Sequence, residues 1–279
     1  MSKVTFPSPA ANQAKPDALR ESHRHRSFSS FRAIGALVLR EMSTTNGKAS
    51  GGYLWAVAEP VAGIVLLSLI FSLVFAAPPI GTNFPIFYAT GMVPFLFYMA
   101  ISTKVAQSVA YSKALLAYPA VTFMDALLAR MIMNGITQML VAYIVFFAVL
   151  FFQDTRTDPQ AGGIALSLFM AFAFGTSVGV MNCFLSEAFS WWQQVWAILN
   201  RPLFLISCIF FIYDDLPTPF GDYLWYNPLV HVIGQMRKSF YPSYAGDYVS
   251  PAYVLGVSLL VYALGLALLI RYHRDLQNS

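Results

Sequence analysis

Few side chains in this chain are spaced for chemistry, and those few fail the tests that their chemistry sets. Gly175-Thr-Ser-Val-Gly179 fits G-x-S-x-G, the turn that presents a hydrolase serine. That turn joins a strand to a helix, whereas Ser177 lies inside the apolar run Ile164–Leu185. The same residues read G-x-x-x-G, a spacing that lets membrane helices approach closely, and helix packing is the expected role. The four histidines complete no triad: His23 and His25 lie near the start, His273 near the end, and His231 in a polar connection. Asn46-Gly47-Lys48-Ala49 looks like the end of a phosphate-binding loop, but Met42 stands at the first glycine and Ala49 replaces the hydroxyl. No nucleotide is expected to bind through it. Cys183 and Cys208 sit in apolar runs and are expected as small buried side chains, not as a disulfide or zinc ligands.

The elements that carry these residues are apolar. The runs are Val57–Ala77, Ile86–Ala106, Ala126–Phe152, Ile164–Leu185, Val195–Ile212 and Ala252–Ile270. Roughly 20 helical residues cross a hydrocarbon core of about 30 Å, and each run reaches or approaches that length. Charged residues make up 11% and hydrophobic ones 57% of the chain. Soluble domains carry about 25% charged residues. Barrel strands would alternate over about 10 residues, so continuous runs predict helices. The expected fold is an all-α integral membrane protein with six spans.

Ionisable residues in the runs stay near their ends: Glu59, Lys104, Asp125, Arg130 and Glu187, with Arg201 the deepest. Mid-span polarity is uncharged, as in Asn134, Gln138, Ser177 and Asn182. An ion-coupled carrier would place charge near the midplane. Neutral amides and hydroxyls suit a lining for an uncharged, hydroxyl-rich chain, and they also glue helices together.

Basic residues set the orientation. Lys3, Lys15, Arg20, Arg24, Arg26, Arg32, Arg40 and Lys48 precede the first run, Lys113 lies between runs two and three, and Arg271 and Arg274 follow the last. The positive-inside rule then puts both termini in the cytoplasm. The net charge of +4 is explained by this topology and needs no nucleic acid. Residues 1–30 read as a disordered basic cytoplasmic tail, and 31–279 as a single transmembrane domain. No apolar leader precedes the first run, so no cleavable signal peptide is expected.

Within Phe31–Met42, Phe31, Ile34, Leu37, Val38 and Met42 share one helical face, which predicts an amphipathic interfacial helix. Lys113–Asp125 joins runs two and three on the cytoplasmic side. A short helix there should end before Pro119. The outer connection Tyr213–Pro251 is rich in aromatics, and Leu229, Val232, Ile233, Met236 and Phe240 fall on one helical face. Short re-entrant helices between the fifth and sixth spans are expected.

This order of elements resembles the type-2 ABC exporter permeases, and specifically the inner-membrane subunit of capsular polysaccharide exporters. The resemblance rests on Leu39-Arg-Glu-Met-Ser-Thr-Thr with Gly52-Tyr-Leu-Trp-Ala-Val-Ala-Glu-Pro60, and on Lys113-Ala-Leu-Leu-Ala-Tyr-Pro-Ala-Val-Thr with Asp125 and Ala129-Arg130. It rests further on Arg201-Pro-Leu-Phe-Leu-Ile-Ser with Asp214-Asp-Leu-Pro217, and on Tyr226-Asn-Pro-Leu-Val-His231 with Met236-Arg237 and Phe240-Tyr-Pro-Ser-Tyr244. The resemblance implies a homodimer in the bacterial inner membrane that works with two copies of a separate ATPase subunit. ATP and Mg would bind to that ATPase, with no cofactor or metal in this chain. A periplasmic polysaccharide co-polymerase and an outer-membrane channel are further implied partners, with membrane lipid around the spans.

The resemblance also assigns roles. Lys113, Leu115, Leu116, Tyr118, Pro119, Val121 and Thr122 would form the coupling helix that seats in the ATPase. Tyr53, Trp55, Glu59 and Arg201 would meet the polymer where it enters and along its path. Trp225, Tyr226, Asn227, Pro228, His231, Arg237, Phe240 and Tyr241 would form the outer re-entrant segment that lines or gates the exit. Export of O-antigen or a teichoic-acid-like polymer is the alternative cargo. A membrane-embedded glycosyl or acyl transferase would need a convergent acid, base or metal set at one membrane face, and the sequence offers none.

Overall fold

The computed structural model describes residues 34–39, 52–116, 122–154 and 156–278. The expected tail at 1–30 and the centre of the expected coupling loop, 117–121, lie outside the described residues. Helix α1 covers 34–39. Ile34, Leu37 and Val38 of the expected apolar face are half-buried there, Leu39, which departs from that face, is exposed, and Phe31 and Met42 lie outside the described residues. Then follow α2 (Gly52–Val74), α3 (Phe84–Ala106), α4 (Ser108–Leu116), α5 (Phe123–Phe152) and α6 (Ala161–Ala188). The chain closes with α7 (Trp192–Leu205), the short α8 (Phe220–Leu224), α9 (Pro228–Phe240) and α10 (Pro251–Asn278). The architecture is all-helical, with no strand among the described residues.

Local chemistry fixes the ends. Asn83 precedes α3, and Pro85 occupies the first turn, where its missing N–H costs nothing. At α5, Thr122 Oγ1 accepts from the Asp125 N–H at 3.2 Å while Asp125 Oδ2 accepts from the Thr122 N–H at 3.0 Å. This reciprocal pair is a capping box. Asn227 caps α9 by accepting from the Leu229 N–H at 3.1 Å, with Pro228 at the first helical position.

Helix α3 is the centre of the bundle and packs on α2, α5, α6 and α9. The approach of α3 and α6 is close because of the small residues noted above. A Cβ on Gly179 would stand 2.7 Å from Val105 Cβ and 3.0 Å from the Ser102 carbonyl oxygen. The G-x-x-x-G pair is therefore a packing device. Cys183 and Cys208 are both free and buried, as expected.

Five helices, α2, α3, α5, α6 and α10, are long and apolar enough to cross a membrane. The fifth apolar run departs from the expected single long helix. Its helix, α7, has 14 residues, about 21 Å, short of the roughly 30 Å core. Turns follow from Ile206, and Cys208 adopts φ 60°, a left-handed conformation that a non-glycine residue takes only when its surroundings impose it. What imposes it comes from α9. Arg237 donates from Nη1 to the Phe211 carbonyl at 2.7 Å and from Nη2 to the Ile209 carbonyl at 2.8 Å. Asn227 Nδ2 donates to the Ile206 carbonyl at 3.1 Å. Backbone freed from a helix at membrane depth must find partners in the protein, and these two side chains supply them.

Candidate functional site

The two ends of α3 hold different structures. At its start, Arg237 stacks over the Phe87 ring at 4.4 Å. At its end, Arg130 donates to the Lys104 carbonyl at 3.0 Å. Seventeen residues separate Phe87 from Lys104, about 26 Å of helix. The expected outer segment and the expected docking segment thus lie at opposite ends of the bundle.

Between α2, α3 and α5 lies a cavity of about 490 Å³, lined on α3 as far as Lys104. Trp55, Ala56, Glu59 and Pro60 form the α2 wall. From α3 come Leu96, Met99, Ala100, Thr103 and Lys104, and from α5 Asn134, Thr137, Gln138 and Val141. Trp55 is 74% exposed, so its indole is a free face at the rim. Glu59 is exposed and Lys104 half-buried. Asn134 Nδ2 is used by the Arg130 carbonyl at 2.8 Å, and Thr137 Oγ1 donates to the Met133 carbonyl at 2.9 Å. The lining therefore offers amide and hydroxyl groups, one charge of each sign and an indole plane. Such a set hydrogen-bonds hydroxyls and stacks on C–H-rich faces. No group of three or more metal-ligating side chains occurs among the described residues.

Trp55 and Glu59 thus meet Asn134 and Gln138, residues picked out for a different reason. The carbonyl-holding residue at this end, Arg130, is 4% exposed, with its guanidinium 4.1 Å from the Tyr111 ring centre. Arg201 is not among the lining residues; it sits exposed on α7, a helix with no buried residue. Tyr53 belongs to the first turn of α2. Lys113, Leu115 and Leu116 end α4, Thr122 caps α5, and Tyr118, Pro119 and Val121 lie outside the described residues.

The outer segment divides. Phe240 and Tyr241 are buried, with Phe240 packed on Phe146 at 4.8 Å between ring centres. His231 is fully buried: its Nε2 lies 2.7 Å from the Trp225 carbonyl, and its Nδ1 accepts from the Ser250 N–H at 3.3 Å. These partners require the neutral ring protonated on Nε2. Burial pushes the imidazole below its ordinary value, which favours the same form. His231 therefore straps α9 to the start of α10. Trp225 packs edge-on against His231 at 5.1 Å, and Tyr226 stays 68% exposed. Exposed aromatics at this end are Tyr226, Phe220 and Tyr223.

Sequence reasoning passed over Lys104 and Thr137 as lining residues and Tyr111 as a partner of Arg130. One signal was available: Arg130, Asn134 and Gln138 recur at every fourth residue, which puts them on one face of α5.

Comparison with known proteins follows the same lines. The chain is 30% identical over 239 residues to the polysialic acid transport protein KpsM of Escherichia coli, covering 84% of this chain and 91% of that one. It is 27% identical over 248 residues to the capsule polysaccharide export inner-membrane protein CtrC of Neisseria meningitidis serogroup B, covering 88% and 93%. It is 24% identical over 249 residues to the capsule polysaccharide export inner-membrane protein BexB of Haemophilus influenzae, again covering 88% and 93%. The family described as ABC-2 type transporter matches residues 32–241, which takes in the cavity, the Arg130 cluster and all of α9. With its multiple membrane-crossing helices, this chain belongs to the ABC-2 type transporter family.

Proposed function

We propose that this chain is the membrane-spanning subunit of an ATP-driven exporter that moves capsular polysaccharide from the cytoplasm across the bacterial inner membrane. The observation that carries the reading is similarity, over more than four fifths of both chains, to a polysialic acid transport protein and to capsule export proteins. The chemistry of the cavity supports it, since indole, amide and hydroxyl groups are what a sugar chain can use.

Two copies of the chain form the pathway, with both termini cytoplasmic and α7 with its continuation completing the sixth crossing. Residues 113–122 dock a separate ATPase, one per copy. ATP and Mg bind there, and this subunit hydrolyses nothing itself. Tyr53, Trp55, Glu59 and Arg201 meet the polymer, which leaves past the exposed aromatics at the α8 end toward a periplasmic co-polymerase and an outer-membrane channel.

The test is deletion of the gene in its own host, followed by fractionation of surface and intracellular polysaccharide. Capsular polymer made but retained inside is the expected result. Normal surface capsule would overturn the reading, and selective loss of surface O-antigen would move the cargo to that polymer.

A further inference from the structure

We propose that Arg130 is the positioning residue that ties the ATPase-docking loop to the cavity wall, so that movement of the loop reshapes the cavity. The proposal rests on the reading of residues 113–122 as that loop.

One side chain joins three helices here. Arg130 belongs to α5 and is 4% exposed. Its guanidinium lies 4.1 Å from the ring centre of Tyr111, on α4 just before Lys113. Its Nη1 donates at 3.0 Å to the carbonyl of Lys104, at the end of α3. A planar guanidinium can stack and donate at once, which a lysine ammonium cannot do in this geometry. The Arg130 carbonyl in turn accepts from Asn134 Nδ2 at 2.8 Å. Both Lys104 and Asn134 line the cavity.

The docking loop is therefore braced on both flanks. On the α4 side the brace is Arg130 on Tyr111, and on the α5 side it is the Thr122–Asp125 capping box. A segment braced at both ends passes displacement on to the helices that hold it. At Lys104 the displacement enters α3, and α3 is in backbone-close contact with α6 at Gly179. Trp55 and Glu59 stand on α2, outside this brace. Loop movement thus shifts the α3 and α5 walls of the cavity relative to its α2 wall.

The test uses the full chain assembled with its ATPase in lipid. Thr103→Cys places a thiol on the cavity wall, while native Cys183 and Cys208 are 0% and 1% exposed and stay silent. Maleimide labelling of Thr103→Cys is followed with and without ATP. The expected result is an ATP-dependent labelling rate that Arg130→Met abolishes while ATP is still hydrolysed. Tyr111→Leu should abolish it too, and Tyr111→Phe, which keeps the ring, should retain it. Should Arg130→Met fail to insert, the Tyr111 pair decides. Labelling that ignores ATP in the Thr103→Cys protein overturns the proposal, as does unchanged ATP dependence in Arg130→Met or Tyr111→Leu. The readout does not involve polymer, so failure of the cargo reading would show in fractionation instead. Failure of the docking reading would show as ATPase retained when Leu115 and Leu116 are replaced by Asp.

Discussion

Replacing Arg237 with Met should open the turn-rich segment after α7 and leave the rest of the bundle closed. The substitution removes two hydrogen bonds, to the carbonyls of Ile209 and Phe211, and the stack on Phe87. Each orphaned buried carbonyl costs about 1–3 kcal/mol. The desolvated cation–π contact adds about 2 kcal/mol. Relief from burying a guanidinium offsets part of this, because an apolar replacement of similar volume recovers the desolvation penalty. A net loss of about 2 kcal/mol remains as a lower figure, or roughly a 30-fold rise in the open population. Cys208 reports on it directly, being 1% exposed and next to Ile209. When opening is fast relative to capture, the alkylation rate tracks the open population. Cys208 alkylation should therefore speed up roughly 30-fold. Cys183, buried within α6, should be unaffected and so controls for global unfolding. Equal acceleration at both cysteines, or at neither, would refute the idea that Arg237 holds this segment locally.

Other perturbations separate the remaining roles. Gly179→Ala gains about 1 kcal/mol of helix propensity, but its Cβ would meet Val105 Cβ at 2.7 Å, and overpacking of about 1–3 kcal/mol should win. Gly256→Ala, with nothing within 4 Å, should instead stabilise; the two unfolding midpoints in detergent should move in opposite directions, and a shared direction contradicts the packing argument. Because burial lowers the folded-state value of His231, the unfolded chain binds the proton more readily, so stability is complete above pH 6.5 and falls as pH drops below it. The thermal midpoint should follow that slope, and His231→Gln should flatten it. Leu115→Asp with Leu116→Asp should release the ATPase on purification while the permease stays in the membrane.

Much of the architecture was legible because a bilayer imposes length and apolarity on each element separately. Leu229, Val232, Ile233, Met236 and Phe240 predicted a short helix with one apolar face, and all five are 0% exposed against the bundle. The break in the fifth run was not legible. Val195–Ile212 carries Asn200, Arg201 and Pro202, yet α7 runs through Pro202 to Leu205, so no residue at the break itself announces the end of the helix. The groups that hold the break, Asn227 and Arg237, lie 21 to 28 residues from the carbonyls they bind. The cavity was half legible. The spacing of Asn134 and Gln138 gave a polar stripe on α5, and Trp55 and Glu59 shared a face of α2. Their meeting depends on how α2 and α5 are rotated against α3, which is decided by packing between distant segments. The outer motif Asn-Pro-Leu-Val-His was noticed as a resemblance. Its physical work, as cap and strap, needed partners at Ile206, Trp225 and Ser250 that only the folded chain brings near.

Helix α7 is held at its two ends and by Phe204, whose ring packs edge-on against Phe95 of α3 at 5.2 Å between ring centres. Trp192 Nε1 donates to Asn182 Oδ1 at 2.8 Å at one end, and the Ile206 carbonyl accepts from Asn227 at the other. None of its 14 residues is buried. A rod held at both ends resists sliding along its length, and the Phe204 ring keys its rotation to α3. Gln194, Ile198, Arg201 and Leu205 fall within about 60° of one another at about 100° per residue, so these four exposed side chains share one stripe of α7. One flank of the bundle thus carries a mixed rail, wet and greasy by turns along a single line, keyed in place by one ring.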